Sequence, residues 1–389
     1  SPAAVPPSAP VSPPGSAPVP RPGLPRVPVP RSGSAPRSGS APRSGSAPRS
    51  GPAAVRPRPV TRPRFRPLKN VCNLFRKMNT PLVSVCMTTY NHAPYIARAI
   101  ESVLAQRTSF AVELLLGEDC SSDSTPDICR SYAARYPDRI RLVTSEHNVG
   151  MRANYRRTIE ACRGRYVAIC DGDDWWCDPE KLERQVAMLE ADPSLGLCYT
   201  RSLRLFEGTG RELHYPEVML TDFDRLLFNN TVENCTAVAR RDLILRYYAE
   251  VRPEEHPEWL TDDAPMWLWF AAESRIAWLD AETAVHRMLP QSVSQSGLYR
   301  KRIAFCDSLM DTSLWFDARY GAGRHRYRLL CRRSDVALWV LSYHGPVGEY
   351  LARWWRDVRR TPRLALHPAG YGLLLKKILF RRKGADSRG

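Results

Sequence analysis

The stretch Tyr166-Val167-Ala168-Ile169-Cys170-Asp171-Gly172-Asp173-Asp174-Trp175-Trp176-Cys177-Asp178-Pro179 decides how this chain is read. Tyr166 to Cys170 is an unbroken apolar run that suits a strand buried on both faces, as in a parallel sheet. Three carboxylates follow within four residues; they repel one another and favour a bound cation. Hard Mg²⁺ or Mn²⁺ takes oxygen ligands, commonly one or two carboxylates together with phosphate oxygens. Asp178 then offers a helix cap with Pro179 at the first helical position, and Leu182, Val186 and Leu189 recur at helical spacing. A solvated acidic turn is the plain alternative. The position directly after a buried strand and before two tryptophans favours the cation.

Working outward, Leu82 to Thr88, Val112 to Leu116, Ile140 to Val143 and Leu195 to Thr200 read as further strands. Between them, Ile96, Ala99, Ile100, Val103 and Leu104 form one helical face, and Ile128, Cys129, Tyr132 and Tyr136 another. Ser124 or Thr125 can cap that second helix ahead of Pro126, and a third helix covers 152–162. Strands alternating with helices predict an α/β fold, a doubly wound, mostly parallel, Rossmann-like sheet. Such sheets bind ligands at the carboxyl ends of their strands. Thr88 to His92, Glu118 to Thr125, Asn148 to Gly150 (with Asn154 beyond) and Asp171 to Asp174 all fall at such ends, so all four are expected to line one cleft. Asp119, at a strand end, suits a nucleobase N–H as well as it suits a turn.

The chain has 389 residues and a formal charge of +17, but the charge is unevenly placed. Residues 1–80 hold 14 Lys/Arg and no acid, residues 341–389 hold 11 basic and 3 acidic, and the body between them has 32 basic against 37 acidic. A nucleic-acid enzyme would carry positive charge on its folded body, so no nucleic-acid partner is expected. Eleven cysteines without a Cys-x-x-Cys pair argue against a disulfide framework or zinc site. Cys86, Cys129, Cys170 and Cys198 sit in apolar runs as small hydrophobes, and a cytoplasmic location is expected. No apolar run approaches the ~20 residues of a membrane span, and no signal-peptide pattern is present. Residues 1–67 hold 20 of the 34 prolines and repeat Arg-Ser-Gly-Ser-Ala-Pro from Arg31, Arg37 and Arg43; the expectation is a disordered tail, partly polyproline II. Residues 68–80 are a basic lead-in.

From Leu82 to Thr200, and more loosely to 300, the chain resembles a family 2 glycosyltransferase of GT-A type. The resemblance is carried by Val83-Ser-Val-Cys-Met-Thr-Thr-Tyr-Asn91, by the block 118–125, by Asn148-x-Gly150, and by Asp171-x-Asp173-Asp174 with Lys181-Leu182-Glu183. It implies that 81–200 is the nucleotide-sugar half and 201–299 the acceptor half. It implies that Thr89, Tyr90 and Asn91 border the nucleoside, that Asp119 meets the base, and that Asp171 lies near the ribose and the metal. Asp173 is the implied ligand of Mn²⁺ or Mg²⁺, and Glu118, Asn148 and Gly150 complete the donor side. Glu118 stands where the family usually has Asp. In Thr261-Asp262-Asp263-Ala264-Pro265-Met266-Trp267 the resemblance implies a general base, Asp263 first and Asp262 second, with a helix cap as the alternative. In Val285-His286-Arg287-Met288, ahead of Ser292-Val293-Ser294, relatives often carry Tyr-Arg-x-His. His286 replaces the Tyr and Leu289 the His, so no His ligand is carried over. Arg287 keeps its place near the diphosphate, and His286 reads as structural.

The implied activity is inverting transfer from a nucleotide-diphosphate sugar, by default a UDP-sugar, to a hydroxyl of a glycan or lipid-linked acceptor in envelope or capsule synthesis. Residues 300–389 read as helical and basic. Trp339, Trp354, Trp355 and the run 376–383 suit either a helical bundle packed on the core or peripheral contact with the anionic inner face of a membrane. Two rival functions remain in view. A nucleotidyltransferase would show a Gly-rich loop where Thr-Thr-Tyr-Asn stands, and a non-catalytic binder would have no need of the acidic residues.

Overall fold

The computed structural model describes residues 80–289 and 298–375, all within one compact unit spanning 66–389. The proline-rich tail, nearly all of the lead-in, 292–294 and the basic run 376–383 lie outside the described residues.

β1 (Val83–Thr89), α1 (Ile96–Leu104), β2 (Val112–Glu118), α2 (Thr125–Arg135), β3 (Ile140–Val143), α3 (Met151–Ala161) and β4 (Tyr166–Ile169) build the first half in strict alternation. The strand order is β3-β2-β1-β4, and every pairing is parallel. The alternation of side chains along each strand sorts the core into two layers. Val83, Val85 and Met87 face Ile96, Ile100 and Leu182, whereas Cys86, Val167 and Ile169 face Tyr155 and Ile159. Each Val, Leu or Ile so buried contributes about 1.5–3 kcal/mol.

The second half is β5 (Trp175–Trp176), α4 (Lys181–Ala191), β6 (Leu195–Phe206), β7 (Arg211–Tyr215), the single turn α5 (Phe223–Leu226), β8 (Val238–Arg240), α6 (Arg241–Val251), α7 (Asp263–Glu273) and β9 (Arg275–Met288). The sheet continues from β4 as β8-β6-β9-β5, with β7 paired to β6. Here the expectation of a mostly parallel sheet needs correction. Pairings β4–β8, β6–β8, β6–β7 and β5–β9 are antiparallel, and only β6–β9 is parallel. The loop 207–210 between β6 and β7 is too short for a crossover, and Gly208 and Gly210 supply its positive φ angles. The strand expected over 195–200 therefore runs on to Phe206.

Two helix starts also differ. Asp178 accepts the Glu180 amide (2.8 Å) in the turn before α4, which begins at Lys181. Ser124 makes no side-chain cap, and Asp123 accepts the Thr125 amide instead (2.9 Å).

The C-terminal helices α8 (Tyr299–Tyr320), α9 (Arg326–His344) and α10 (Val347–Arg360) complete the described part, so the expected α/β fold with C-terminal helices is present. Phe316 and Leu329 join the main core, while Leu338, Leu341 and Tyr350 form a cluster of their own. Among the described residues no helix is long and apolar enough to cross a membrane. Cys86, Cys129, Cys170 and Cys198 are buried free thiols.

Candidate active site

The four polar loops converge at the carboxyl ends of β1, β2, β3 and β4. The amides of Asp119 and Gly172 donate to the carbonyls of Thr89 (3.1 Å) and Thr88 (2.9 Å), which fastens the second and fourth loops to the first. Gly172 allows the close approach: a Cβ there would stand 2.7 Å from Thr89 Oγ1 and 3.0 Å from His92 Nδ1. Both of those atoms are buried and, among the described residues, without a hydrogen-bond partner, so the notch beside Gly172 holds polar groups that a ligand atom can satisfy. Asn91, in the left-handed region at φ 55°, binds the second loop from both ends: its amide donates to Ser121 Oγ (2.9 Å) and its Oδ1 accepts the Ser122 amide (2.9 Å). Tyr90 is exposed at the rim.

Glu118 explains itself once placed. Its carboxylate accepts the amides of Cys120 (3.2 Å) and Ser121 (2.7 Å), closing a turn in which Cys120 adopts φ 56°. Asp119 is also turned partly inward. Its oxygens accept the amides of Val149 (2.9 Å) and Gly150 (3.0 Å), and Asn148 Nδ2 donates to its carbonyl (3.1 Å). Gly150, at φ 86°, supplies the backbone that this needs. Asn148 and Gly150 thus hold the third loop to the second. A carboxylate accepts about four hydrogen bonds, so Asp119 retains capacity for a ligand.

The fourth loop divides its carboxylates. Asp174 is buried and caps the far strand, accepting the Arg287 amide (2.8 Å). Burial drives its pKa well above the ordinary range, against the pull of nearby His286. Asp171 accepts from Thr88 Oγ1 (2.7 Å); burial, with Asp173 adding, pushes its pKa up to about 6. Among the described residues, no hydrogen bond engages the carboxylate of Asp173. Among the described residues, one oxygen of Asp171 and both of Asp173 make no hydrogen bond, and the two carboxylates place negative charge close together. This hard-oxygen pair fits a divalent ion completed by phosphate oxygens. No closed set of three or more ligating residues occurs among the described residues.

The acceptor side separates its two candidates. Asp262 receives Arg152 Nε (2.5 Å), while the same guanidinium donates to the carbonyls of Pro253 (2.8 Å), His256 (3.2 Å) and Trp259 (2.6 Å). Asp263 opens α7, and its Oδ1 accepts its neighbour's amide, Ala264 (2.8 Å). Burial raises its pKa, and it lies close enough to Asp171 to push that carboxyl up as well.

Arg287 and His286 lie on opposite faces of β9. Arg287 packs under the fourth loop, donating to the Asp173 carbonyl (3.0 Å) and Glu207 (2.6 Å), with Tyr95 and Trp175 against its guanidinium at 4.4 and 4.9 Å. His286, the next residue along the strand, faces the other way. Its Nδ1 meets Glu233 Oε1 (2.8 Å), which also receives Arg204 Nε (2.6 Å). Burial opposes a charged imidazole there, but Asp174 and Glu233 outweigh it and hold the pKa up to about 10. Glu233 is driven down to about 2 despite burial, by His286 and Arg204.

Against known proteins, the family described as "Glycosyl transferase family 2" matches residues 84–245. An uncharacterized protein of Mycobacterium tuberculosis (strain ATCC 25618 / H37Rv) is 36% identical over 162 residues, covering 41% of this chain and 47% of that protein. The putative teichuronic acid biosynthesis glycosyltransferase TuaG of Bacillus subtilis (strain 168) is 36% identical over 161 residues, 41% of this chain and 61% of TuaG. The chain thus spans only about half the length of the mycobacterial relative. Among solved structures, S. aureus TarS 1-349 in complex with UDP matches with TM-score 0.46 and 17% identity over 77% of this chain and 91% of that one. The mannosyltransferase PcManGT from Pyrobaculum calidifontis, in complex with GDP-Man and Mn2+, matches with TM-score 0.46 and 19% identity over 77% and 86%.

Proposed function

We propose that this chain, whose residues 84–245 carry the glycosyl transferase family 2 signature, is an inverting glycosyltransferase acting from a nucleotide-diphosphate sugar on a hydroxyl acceptor. The observation that carries the reading is the set of polar loops gathered at the carboxyl ends of β1, β2 and β4, where Thr88 donates to Asp171 and the loops of Asp119 and Gly172 are fastened to β1. Asp263 is a carboxylate made more basic by burial and makes no salt bridge among the described residues, whereas Asp262 is tied to Arg152. In the proposed mechanism Asp263 accepts the proton of the acceptor hydroxyl as that oxygen attacks the anomeric carbon, while the bond from that carbon to the phosphate oxygen breaks and its electron pair leaves with the nucleoside diphosphate. Asp119, Thr89, Tyr90, Asn91, Asn148 and Gly150 hold the nucleoside side, with Glu118 shaping the loop. Mn²⁺ or Mg²⁺, held by Asp173 and Asp171, would neutralise charge on the diphosphate.

A UDP-sugar is the proposed donor, as the family resemblance implies, and a glycan or lipid-linked envelope acceptor is proposed with it. Radiolabelled UDP-, GDP- and dTDP-sugars, each tested with and without simple sugar acceptors, check this. The expected result is slow hydrolysis or transfer from one UDP-sugar. No turnover of any donor would sink the reading, and release of nucleoside triphosphate from a sugar nucleotide plus pyrophosphate would replace it with nucleotidyl transfer.

Cytoplasmic location with peripheral membrane contact belongs to the same proposal. Exposed Trp355, Leu366 and Tyr371 lie together, since Tyr371 donates to the Ala365 carbonyl (2.5 Å) and its ring meets Trp354 at 5.6 Å. Arg356, Arg360 and Arg363 in the same stretch of chain are exposed. Aromatic and basic side chains together suit an anionic headgroup layer. Co-sedimentation with vesicles containing phosphatidylserine is expected, weakening with salt and with Trp355→Ser. Equal sedimentation with neutral vesicles, or none, refutes the contact.

A further inference from the structure

At the other end of the sheet from the polar loops lies a cavity of about 790 Å³ that the proposed mechanism leaves unused. It opens where β1, β2 and β4 begin and where β8 passes into α6, and it shares no residue with the cleft at the carboxyl ends. Its wall carries four arginines, Arg163, Arg165, Arg240 and Arg241, against one acid, the exposed Asp242. Among the described residues only Arg165 of these four makes a salt bridge, to Glu190 (2.9 Å). Arg240 is 9% exposed. Its Nε and Nη2 donate to the carbonyls of Leu195 (2.7 Å) and Leu189 (2.6 Å), and its Nη1 to the Tyr166 hydroxyl (3.3 Å). Those neutral acceptors fix the guanidinium but leave its buried charge without a counter-charge, which is costly.

Arg241 adds an unused donor. Its Nη2 reaches the Glu160 carbonyl at 3.5 Å, but its Nε is buried and has no hydrogen-bond partner among the described residues. The Arg163 side chain is exposed and makes no hydrogen bond or salt bridge among the described residues. The backbone that carries these groups is held firmly. The Arg163 amide donates to Ser84 Oγ (3.0 Å) and Glu113 Oε1 (2.8 Å), and the Arg241 amide donates to the Arg165 carbonyl (3.0 Å). Gly164 lets the chain settle onto β1, since a Cβ there would stand 2.5 Å from the Ser84 nitrogen. No side chain caps α6, so the first turn of that helix adds its own positive end to the same wall. Facing the arginines, Pro81, Leu82 and Phe110 give the cavity an apolar side.

We infer that this cavity is a second ligand site, built for a small phosphate ester. Arg163 and Arg241 meet the phosphate, Arg240 supplies fixed positive charge behind them, and the ester group lies against Pro81, Leu82 and Phe110. A phosphate fits better than a carboxylate. It carries a charge of about −1.5 to −2 at neutral pH, which answers more than one unpaired guanidinium, and its oxygens match the planar fork of arginine. The volume is in the range of small-molecule sites. The inference stands independently of the transferase reading, because the two sites lie at opposite ends of the strands.

Calorimetric titration of the full chain with phenyl phosphate and with inorganic phosphate, both in chelator, tests this. Wild-type protein is expected to bind phenyl phosphate more tightly than inorganic phosphate, because the ring gains the apolar wall. The double variant Arg163→Ser/Arg241→Ser is expected to weaken both ligands by about tenfold or more, the scale of losing charge-assisted hydrogen bonds. Arg163→Ser alone removes no hydrogen bond or salt bridge among the described residues, so a partial loss at unchanged melting temperature separates recognition from folding. Asp173→Ala, at the opposite end of the sheet, is expected to leave phenyl phosphate binding unchanged. Wild-type protein that binds neither ligand would overturn the inference, as would unchanged affinity in the double variant. Loss of phenyl phosphate binding in Asp173→Ala would place the ligand in the catalytic cleft and overturn it too, while leaving the transferase reading intact.

Discussion

Asp263→Asn is expected to cut turnover by roughly 10²-fold or more, the scale of losing a general base, while leaving UDP affinity nearly intact. The amide keeps the shape and still accepts the Ala264 amide through its oxygen, but it cannot take a proton. Asp262→Asn tests the alternative. It replaces the carboxylate that Arg152 meets at 2.5 Å, so its expected signature is a lower melting temperature with a smaller loss of turnover. If Asp262→Asn abolishes turnover in a fully folded protein and Asp263→Asn does not, the base has been assigned to the wrong neighbour. The pH profile adds a second check. Burial raises the pKa of Asp263, and a base works only when deprotonated. Turnover should therefore fall on the acid side at a pH above the ordinary carboxylate range, which centres near about 3.9 for Asp.

Asp173→Ala should abolish the dependence of donor binding on divalent metal. Wild-type protein is expected to bind UDP more tightly with Mn²⁺ than with chelator, and the variant to bind it equally in both. Turnover should fall by roughly 10²-fold or more, since polarisation by a bound metal supplies several kcal/mol to such reactions. The carboxylate has no hydrogen-bond partner among the described residues, so its removal should leave the melting temperature nearly unchanged. Equal UDP affinity with and without Mn²⁺ in the wild type would remove the metal from the account. Retention of the metal effect in Asp173→Ala would move the ligand to Asp171.

The half of the molecule that alternates strand and helix was legible because each buried strand ends abruptly in polar residues. Val83 to Thr89 and Tyr166 to Ile169 have nearly all their residues inside, so a run of apolar types marks them without ambiguity. The antiparallel half obeys no such rule. β7 is largely exposed and β9 alternates unevenly, so neither stands out by composition. Individual roles were harder still. The carboxylates of Asp171, Asp173 and Asp174 look alike in sequence, and only the pairing of β5 with β9 turns Asp174 inward. His286 reads as structural in the sequence, and its partner Glu233, 53 residues earlier in a turn outside the strands, is visible only in the fold.

Arg152 has a bearing on how such proteins can be recombined. It lies within the family-matched segment 84–245, whereas all of its acceptors, at Pro253, His256, Trp259 and Asp262, lie beyond it. A chimera spliced just after residue 245 would therefore draw the guanidinium from one parent and its cage from the other. Three carbonyls and a carboxylate set to receive Arg would meet whatever the donor parent carries at 152, leaving buried acceptors unpaired beside the acceptor loop. Residue 152 and the segment 253–262 are thus inherited as a block, and the workable seam for exchanging acceptor specificity lies after α7, not at the edge of the recognisable domain.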